Sequence, residues 1–126
     1  MATYLAYDLG AESGRGVAGT LANGKLSIEE VHRFWNLPAV IQGTMYWDVY
    51  GLWRELLAAL GKFKDTAGRP PAAVGIDTWG VDFGLVARDG SLLAPPVCYR
   101  DHRNDTTMDE VLNDVQIGRA SCRERV

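Results

Sequence analysis

The sequence predicts an α/β domain with a mixed sheet, and three observations carry this prediction. The first part of the chain alternates strand-like apolar segments with turns. An amphipathic helix follows, in which apolar residues recur every three or four positions. Further strand-like segments and a second helix come after it, so strands and helices share one domain. The alternation is not that of a plain dinucleotide-binding fold, and neither standard glycine-rich nucleotide motif is present.

The chain begins with strands, predicted at residues 4–9, 15–21 and 25–34. Asn23 and Gly24 favour a tight hairpin between the second and third strands, because both residues tolerate a positive φ. Residues 36–46 are predicted to be an irregular loop, since Pro38 and Gly43 interrupt regular structure.

A long helix is predicted next. Asp48 is of the residue type that caps a helix N-terminus, and the apolar stripe that follows it runs from residue 49 to residue 63. Gly68 ends the helix. Trp53 lies on the stripe and Trp47 precedes the cap, so both are assigned to the core.

The second half of the chain is predicted to add strands at residues 74–77, 81–87 and 92–99. The first of these is apolar enough to be buried. The other two form a hairpin around Asp89 and Gly90. Thr107 and Glu110 have the spacing of a capping box, which predicts a last helix that begins at Thr107.

Composition excludes several classes of protein. The chain has 126 residues, enough for one domain with its own core, and 47% of them are hydrophobic. The net charge of −3 argues against nucleic-acid or anionic-membrane partners, and no apolar run would span a bilayer. The two cysteines, Cys98 and Cys122, fit neither a disulfide framework nor a metal cluster. With no signal peptide at the start, a reducing cytoplasm is the simplest compartment.

The last ten residues differ from the rest. Residues 117–126 carry three arginines and one glutamate, and the helical pattern stops before them. They resemble the short vector-encoded ends of interrupted reading frames, which are set aside in reasoning about a fold. We therefore expect residues 1–116 to be an incomplete domain and residues 117–126 to be a foreign tail; a native basic terminus is the alternative.

Asp8 and the turn after it suggest a phosphate site. A carboxylate at the end of an apolar strand needs a partner or a cation. The glycine-rich turn at residues 10–14 can aim several backbone N–H groups at phosphate oxygens, while Ser13 adds a hydroxyl and Arg15 a positive charge. Asp8 can then hold Mg²⁺ through water. The alternative is a tight hairpin without a ligand, whose Asp8 accepts hydrogen bonds from turn amides.

A second polar segment follows the strand that ends at Asp77. Trp79 offers a flat face that suits the C–H side of a sugar, and Gly80 lets a ligand approach the backbone. Asp82 can accept hydrogen bonds from sugar hydroxyls. The alternative is a turn with Trp79 in the core and Asp82 in solvent.

The remaining polar residues give weaker signals. Arg100 and Asp101 can bind a polyol or form a surface salt bridge. Neither His32 nor His102 has a cysteine or histidine at metal-ligand spacing, so no protein-held metal cluster is predicted.

Three segments resemble a known family. Residues 8–15 (Asp-Leu-Gly-Ala-Glu-Ser-Gly-Arg) resemble the first phosphate-binding hairpin of sugar kinases with the actin/hexokinase-like, or ribonuclease H-like, fold. Residues 75–83 (Gly-Ile-Asp-Thr-Trp-Gly-Val-Asp-Phe) are similar to the second signature of the rhamnulokinase branch of the FGGY carbohydrate kinases. Residues 99–101 are similar to the Trp/Tyr-Arg-Asp element of that family. The resemblance covers residues 4–115, and its Trp-Gly-Val-Asp-Phe stretch is the most specific part.

This resemblance implies the amino-terminal part of an actin/hexokinase-like ATPase domain. It also implies an enzyme that phosphorylates the 1-hydroxyl of L-rhamnulose with ATP and Mg²⁺. The phosphate-contacting residues that it implies are Asp8, Gly10, Ala11, Glu12, Ser13, Gly14 and Arg15. The sugar-contacting residues that it implies are Trp79, Gly80, Asp82, Arg100 and Asp101.

The family resemblance places the catalytic base and most adenosine contacts in a second domain, outside these 126 residues. None of Asp8, Asp77 and Asp82 is therefore assigned as the base. We expect this chain alone to be inactive, because half of a cleft cannot enclose the substrate. Two alternatives stay open: a kinase for another ketose, such as fuculose or xylulose, and a non-catalytic actin-like module that binds nucleotide.

Overall fold

The computed structural model describes residues 2–115. The predicted foreign tail at residues 117–126 lies outside them. The strands are β1 (Ala2–Leu9), β2 (Ser13–Ala22), β3 (Lys25–Trp35), β4 (Ala39–Ile41), β5 (Thr44–Tyr46) and β6 (Val74–Thr78). The helices are α1 (Val49–Ala67) and α2 (Thr107–Asp114), with a 3₁₀ turn at His102–Asn104. Within the described residues, neither helix has the length and apolar character needed to cross a membrane.

The main sheet has four strands in the order β3-β2-β1-β6. The three amino-terminal strands are antiparallel neighbours, whereas β6 pairs with β1 in parallel. The predicted mixed sheet is therefore confirmed. Asn23 and Gly24 form the β2–β3 turn as predicted, with φ angles of 51° and 73°.

Helix α1 covers one face of this sheet. Asp48 caps the helix by accepting a hydrogen bond from the backbone N–H of Gly51 at 2.8 Å. Gly68 ends it in the left-handed conformation, at φ 65°. The core between helix and sheet is formed by Leu5, Tyr7, Ala59 and Phe63.

Two contacts fix the distance between α1 and the sheet. The Tyr7 hydroxyl donates to the backbone carbonyl of Leu56 at 2.7 Å, and burial raises the pKa of this phenol. Gly16 lies under Ala59, and a Cβ at position 16 would stand only 2.9 Å from the Ala59 Cβ. A side chain at position 16 would therefore push the helix away.

The prediction of an irregular loop at residues 36–46 was wrong. This segment forms the antiparallel β4–β5 hairpin. Pro38 precedes the first of these strands and does not interrupt it. Gln42 and Gly43 form the turn, with φ angles of 50° and 83°, so Gly43 marks a tight turn and not a break.

Two burial predictions were also wrong. Strand β6 was expected to be buried, but Val74 and Ile76 are 51% and 60% exposed. Among the described residues β6 pairs only with β1, so it is an edge strand. Trp53 was assigned to the core but is 60% exposed, because the buried face of α1 passes through Ala59 and Phe63.

The hairpin predicted at residues 81–99 is reduced to its turn. Gly90 has a φ of 87°, and an isolated bridge joins Val86 to Leu92. Regular strands do not extend beyond this bridge. Pro95 and Pro96 carry no N–H group and cannot donate to a ladder.

The last helix begins as predicted at Thr107, but without the predicted capping box. The N-cap residue is Thr106, whose hydroxyl donates to the Glu110 carboxylate at 2.9 Å. The Thr107 hydroxyl donates to the carbonyl of Arg103. Neither threonine side chain accepts from a backbone N–H, which the capping box requires.

Candidate functional site

Charged side chains form a row across the sheet on the face opposite α1. Asp77 of β6, Asp8 of β1, Arg15 of β2 and Arg33 of β3 are direct neighbours in the strand register. Residues directly opposite one another share a face, and the adjacent Tyr7 points to the helix side. The row therefore lies on the open face of the sheet.

Asp8 has the partner that its position requires. Its Oδ2 accepts from Arg15 Nε at 2.9 Å and lies 2.7 Å from Arg15 Nη2. Both side chains are about half exposed, so this pair contributes little to stability. Asp8 Oδ1 makes no hydrogen bond or ion pair within the described residues, so together with the neighbouring Asp77 it could hold a hydrated cation.

The turn after Asp8 is held by Asn36, the residue directly after β3, and keeps free donors. Asn36 is only 3% exposed; its side-chain amide donates to Gly10 O and its backbone N–H donates to Glu12 O, both at 2.9 Å. Gly10 N–H donates to Ser13 O. The N–H groups of Ala11 and Glu12 and the Ser13 hydroxyl have no acceptor within residues 2–115. This turn can therefore receive an anion such as a phosphate.

Gly14 serves packing in this turn. A Cβ at position 14 would lie 2.2 Å from the Phe34 ring, and both residues are buried. The absence of a side chain at Gly14 is thus required by Phe34, whatever ligand the turn receives.

Three aromatic rings form a continuous group beside this turn, which we call the aromatic column: Trp47, Trp79 and Tyr99. The ring centroids of Trp47 and Trp79 are 4.6 Å apart, and those of Trp47 and Tyr99 are 6.5 Å apart. Trp47 is 3% exposed, which confirms its assignment to the interior. Trp79 is half-buried and Tyr99 is 37% exposed.

Asp82 holds the two tryptophans of the column together. Its Oδ2 accepts from Trp47 Nε1 at 2.6 Å and from Trp79 Nε1 at 3.0 Å, while Oδ1 makes no contact within the described residues. Gly80 is exposed, and a Cβ there would meet nothing within 4 Å. Val81 has a φ of 74°, a strained conformation for a β-branched residue.

Arg100 joins the turn to the column. Its guanidinium lies 5.2 Å from the centre of the Tyr99 ring and donates through Nε to the Tyr99 hydroxyl at 2.9 Å. Its Nη2 is 3.3 Å from Glu12 Oε1. The hydrogen bond and charge interaction with Tyr99, and then the smaller effect of Glu12, raise the pKa of Arg100. The two sites predicted from separate parts of the sequence are therefore adjacent in space.

Asp101 points into the protein. It is 5% exposed; Oδ2 accepts from Met45 N–H at 2.6 Å and Oδ1 accepts from Arg103 N–H at 3.0 Å. These backbone hydrogen bonds, the one from Met45 first, lower the pKa of Asp101. Its carboxylate ties β5 to the 3₁₀ turn, so Asp101 braces the site in this structure.

A cavity of about 560 Å³ opens next to Asp82 and Tyr99. Most of its lining is apolar and comes from residues 81–85, residues 94–97 and the α2 side chains Met108 and Val111. Within residues 2–115, no group of three or more His, Cys, Asp or Glu side chains is arranged to hold a metal ion.

Sequence reasoning missed two residues of this site. Asn36 braces the phosphate turn, and no motif marked it. Trp47 was assigned to the core only, although its indole N–H shares the Asp82 carboxylate with Trp79. The signal that could have found Trp47 was a second tryptophan near a polar segment, but its partner is 35 positions away in the chain.

The fold is that of the sugar kinases. The chain superposes on a ligand-bound xylulose kinase from Lactobacillus acidophilus with a TM-score of 0.68 and 16% identity, over 90% of this chain and 23% of that one. For a xylulose kinase from Rhodospirillum rubrum the TM-score is 0.69, with 19% identity over 90% of this chain and 24% of that one. This confirms the predicted actin/hexokinase-like fold, present in part.

Within that class, the sequence is similar to rhamnulokinases. It is 46% identical to the rhamnulokinase of Bacteroides thetaiotaomicron over 98 residues, 78% of this chain and 20% of that protein. It is 43% identical to that of Oceanobacillus iheyensis over 111 residues, 88% of this chain and 23% of that protein. No family model matches the chain. The predicted resemblance is confirmed, and the chain spans about a fifth to a quarter of these relatives' length.

Proposed function

We propose that this chain forms the phosphate-contacting and sugar-contacting part of an ATP-dependent carbohydrate kinase that phosphorylates L-rhamnulose at its 1-hydroxyl. The observation that carries the proposal is the contact of Arg100 with both Glu12 and Tyr99. It brings a turn with free N–H donors next to an aromatic column with a free carboxylate oxygen. Phosphoryl transfer needs such a juxtaposition of phosphate and acceptor hydroxyl.

The turn supplies the phosphate side of the reaction. The N–H groups of Ala11 and Glu12 and the Ser13 hydroxyl can donate to phosphate oxygens. Arg15, two residues after Ser13 in β2 and paired with Asp8, carries a positive charge nearby. Asp8 Oδ1 fits the water shell of a Mg²⁺ ion, which when bound neutralises charge on the phosphates. These residues bind and orient; none of them is assigned as the base.

The column supplies the sugar side. Trp79 offers its indole face to the C–H groups of a ketose, and the exposed Gly80 leaves room beside it. Asp82 Oδ1 can accept from a sugar hydroxyl. Asp101, with both oxygens held by backbone donors, acts through the position of Arg100 and not by contact with the sugar.

A coupled assay of ATP consumption tests the proposal. It is run on a longer polypeptide that contains this chain together with the remaining part of the kinase. We expect the highest kcat/KM with L-rhamnulose in a panel that includes L-fuculose and D-xylulose. A preference for either of the other sugars would assign a different ketose kinase. Nucleotide binding without any sugar-dependent turnover would instead support a non-catalytic module.

The same assay on the 126-residue chain is expected to give no turnover, because one side of a cleft cannot exclude water from the reaction. Rhamnulose-dependent ATP consumption by this chain alone would refute that expectation. The predicted foreign tail is tested by reading the source DNA across codons 110–130: the tail is foreign if the genomic frame continues differently after residue 116.

A further inference from the structure

Trp47 is fixed more firmly than any other ring of the site. Its backbone N–H donates to Pro96 O at 2.9 Å, its indole N–H donates to Asp82, and its ring contacts Trp79 and Tyr99. It is also buried at 3% exposure, so solvent does not compete for these contacts. A side chain held by this many contacts can fix the orientation of a neighbouring side chain that has fewer.

Trp79 is that neighbour. It follows the end of β6 in a segment without regular structure and is only half-buried. Two contacts constrain its ring: a tilted contact with Trp47, at 4.6 Å between centroids and 50° between ring planes, and the hydrogen bond to Asp82 Oδ2, the same oxygen that Trp47 uses. Both contacts therefore depend on where Trp47 lies.

The hydrogen bonds from both indoles to Asp82 Oδ2 restrict the movement of the carboxylate. Because Oδ2 accepts from both indoles, the carboxylate cannot rotate without losing a charge-assisted hydrogen bond. Oδ1 is thereby held at a fixed place beside the Trp79 ring. A fixed apolar face next to a fixed acceptor matches a ligand that carries C–H groups and a hydroxyl on neighbouring carbons.

We propose that Trp47 is a positioning residue of the sugar site, which sets the Trp79 ring and, through the shared Asp82 carboxylate, the Oδ1 acceptor for a polyhydroxylated ligand. This inference rests on the proposed function and deepens it, since it says how the sugar-binding surface is preorganised. Trp47 acts through Trp79 and Asp82 and does not itself touch the sugar.

The experiment uses the 126-residue chain with ¹⁵N-labelled tryptophan, which has four indole N–H signals. Single Trp→Phe substitutions assign the signals. We expect the Trp79 indole signal to move upfield and broaden in both Trp47→Phe and Asp82→Asn, because the first alters its neighbouring ring and the second its hydrogen-bond acceptor. Trp53→Phe, a substitution at an exposed site on α1, is the matched control and leaves the Trp79 signal in place.

L-Rhamnulose is then titrated into each variant. The wild type is expected to show a saturable shift of the Trp79 signal, and Trp47→Phe and Asp82→Asn to bind about tenfold more weakly, in line with the loss of a charge-assisted hydrogen bond. Asp82→Glu keeps the carboxylate and should recover part of the affinity. If Trp47→Phe does not fold, the Trp79 indole signal in Asp82→Asn, which lies outside the core cluster, tests the coupling instead, because the sugar affinity of that variant also reflects the loss of a carboxylate oxygen.

The outcomes separate the two proposals. If the wild type binds L-rhamnulose and both variants bind equally well with an unmoved Trp79 signal, the positioning role is overturned and the sugar site stands. If the Trp79 signal moves in the variants but the wild type binds no sugar, the positioning role for a sugar is overturned, whereas the proposed function is decided separately by the coupled assay on the longer polypeptide.

Discussion

Residues 2–78 and residues 79–115 are held together in different ways. The first region closes a core of Leu5, Tyr7, Ala59 and Phe63 under a regular sheet and one helix. The second has little regular structure and leaves Val81, Phe83 and Leu85 at the surface, at 61–82% exposure. It is tied to the first region by the carboxylates of Asp82 and Asp101 and by backbone hydrogen bonds from Trp47 to Pro96 and from Cys98 to Met45. Such a region can present a ligand surface, but it contributes little apolar burial to stability.

The largest effect is expected in the first region. Phe63 is 1% exposed and belongs to the core cluster. Phe63→Ala should lower the free energy of unfolding by about 3–5 kcal/mol, because it removes apolar contacts and leaves a cavity. Urea unfolding followed by circular dichroism measures this loss. Phe83→Ala, at 77% exposure, is the matched control and should change stability by no more than about 0.5 kcal/mol.

In the second region, we expect substitution of Asp101 to lower the thermal stability most. Asp101→Asn leaves one of the two backbone donors, Met45 N–H or Arg103 N–H, facing an amide NH₂ group, so the thermal midpoint should fall by a few degrees. The Trp47 and Trp79 indole signals should shift too, since β5 leads directly into Trp47.

The same carboxylate gives a pH dependence of known sign. The pKa of Asp101 is lowered in the folded protein, so the unfolded chain binds the proton more readily. The stabilisation is complete above the unfolded-state pKa of about 3.9 and is lost as the pH falls towards the lower folded-state pKa. The thermal midpoint should therefore fall more steeply between pH 5 and pH 3 in the wild type than in Asp101→Asn. Equal slopes of midpoint against pH would contradict the prediction.

A smaller effect is expected where the phosphate turn meets the aromatic column. Arg100→Gln releases the Glu12 carboxylate and leaves a negative charge beside the turn donors. ADP binding should weaken by about three- to fivefold at low salt. Isothermal titration calorimetry measures the dissociation constant of ADP. The double variant Glu12→Gln/Arg100→Gln should restore the affinity for ADP. A double variant as weak as the single one would show that Arg100 acts in another way.

Val81 should give the smallest change. Its φ of 74° is costly for a β-branched residue, whereas glycine adopts it freely. Val81→Gly should therefore stabilise the chain by less than about 1 kcal/mol, since the greater entropy of glycine in the unfolded state offsets part of the relief. Val86→Gly, at an exposed position without a positive φ, is the control and should be destabilising. Loss of stability in Val81→Gly would mean that its side chain is needed.

Features that depend only on neighbouring residues follow from the amino-acid order. Asn23 and Gly24 make their turn, Asp48 caps α1 and Gly68 ends it, because each needs only a local backbone conformation or a donor three positions away. The succession of the first three strands and the motif of the phosphate turn were predictable for the same reason, since adjacent segments form them. The missed β4–β5 hairpin was a local error, since Pro38 and Gly43 mark the edge and the turn of a hairpin as well as a loop.

Which side chains meet depends on how the distant segments pack. Glu12 and Arg100 are 88 positions apart, Met45 and Asp101 are 56 apart, and Trp47 reaches Asp82 across 35. It also decided that Trp53 is exposed and Trp47 buried, although both are tryptophans near the start of α1. Hydrophobic periodicity fixes the face of an element but not what packs against it, and a hydrogen bond between distant residues leaves no mark on the local sequence.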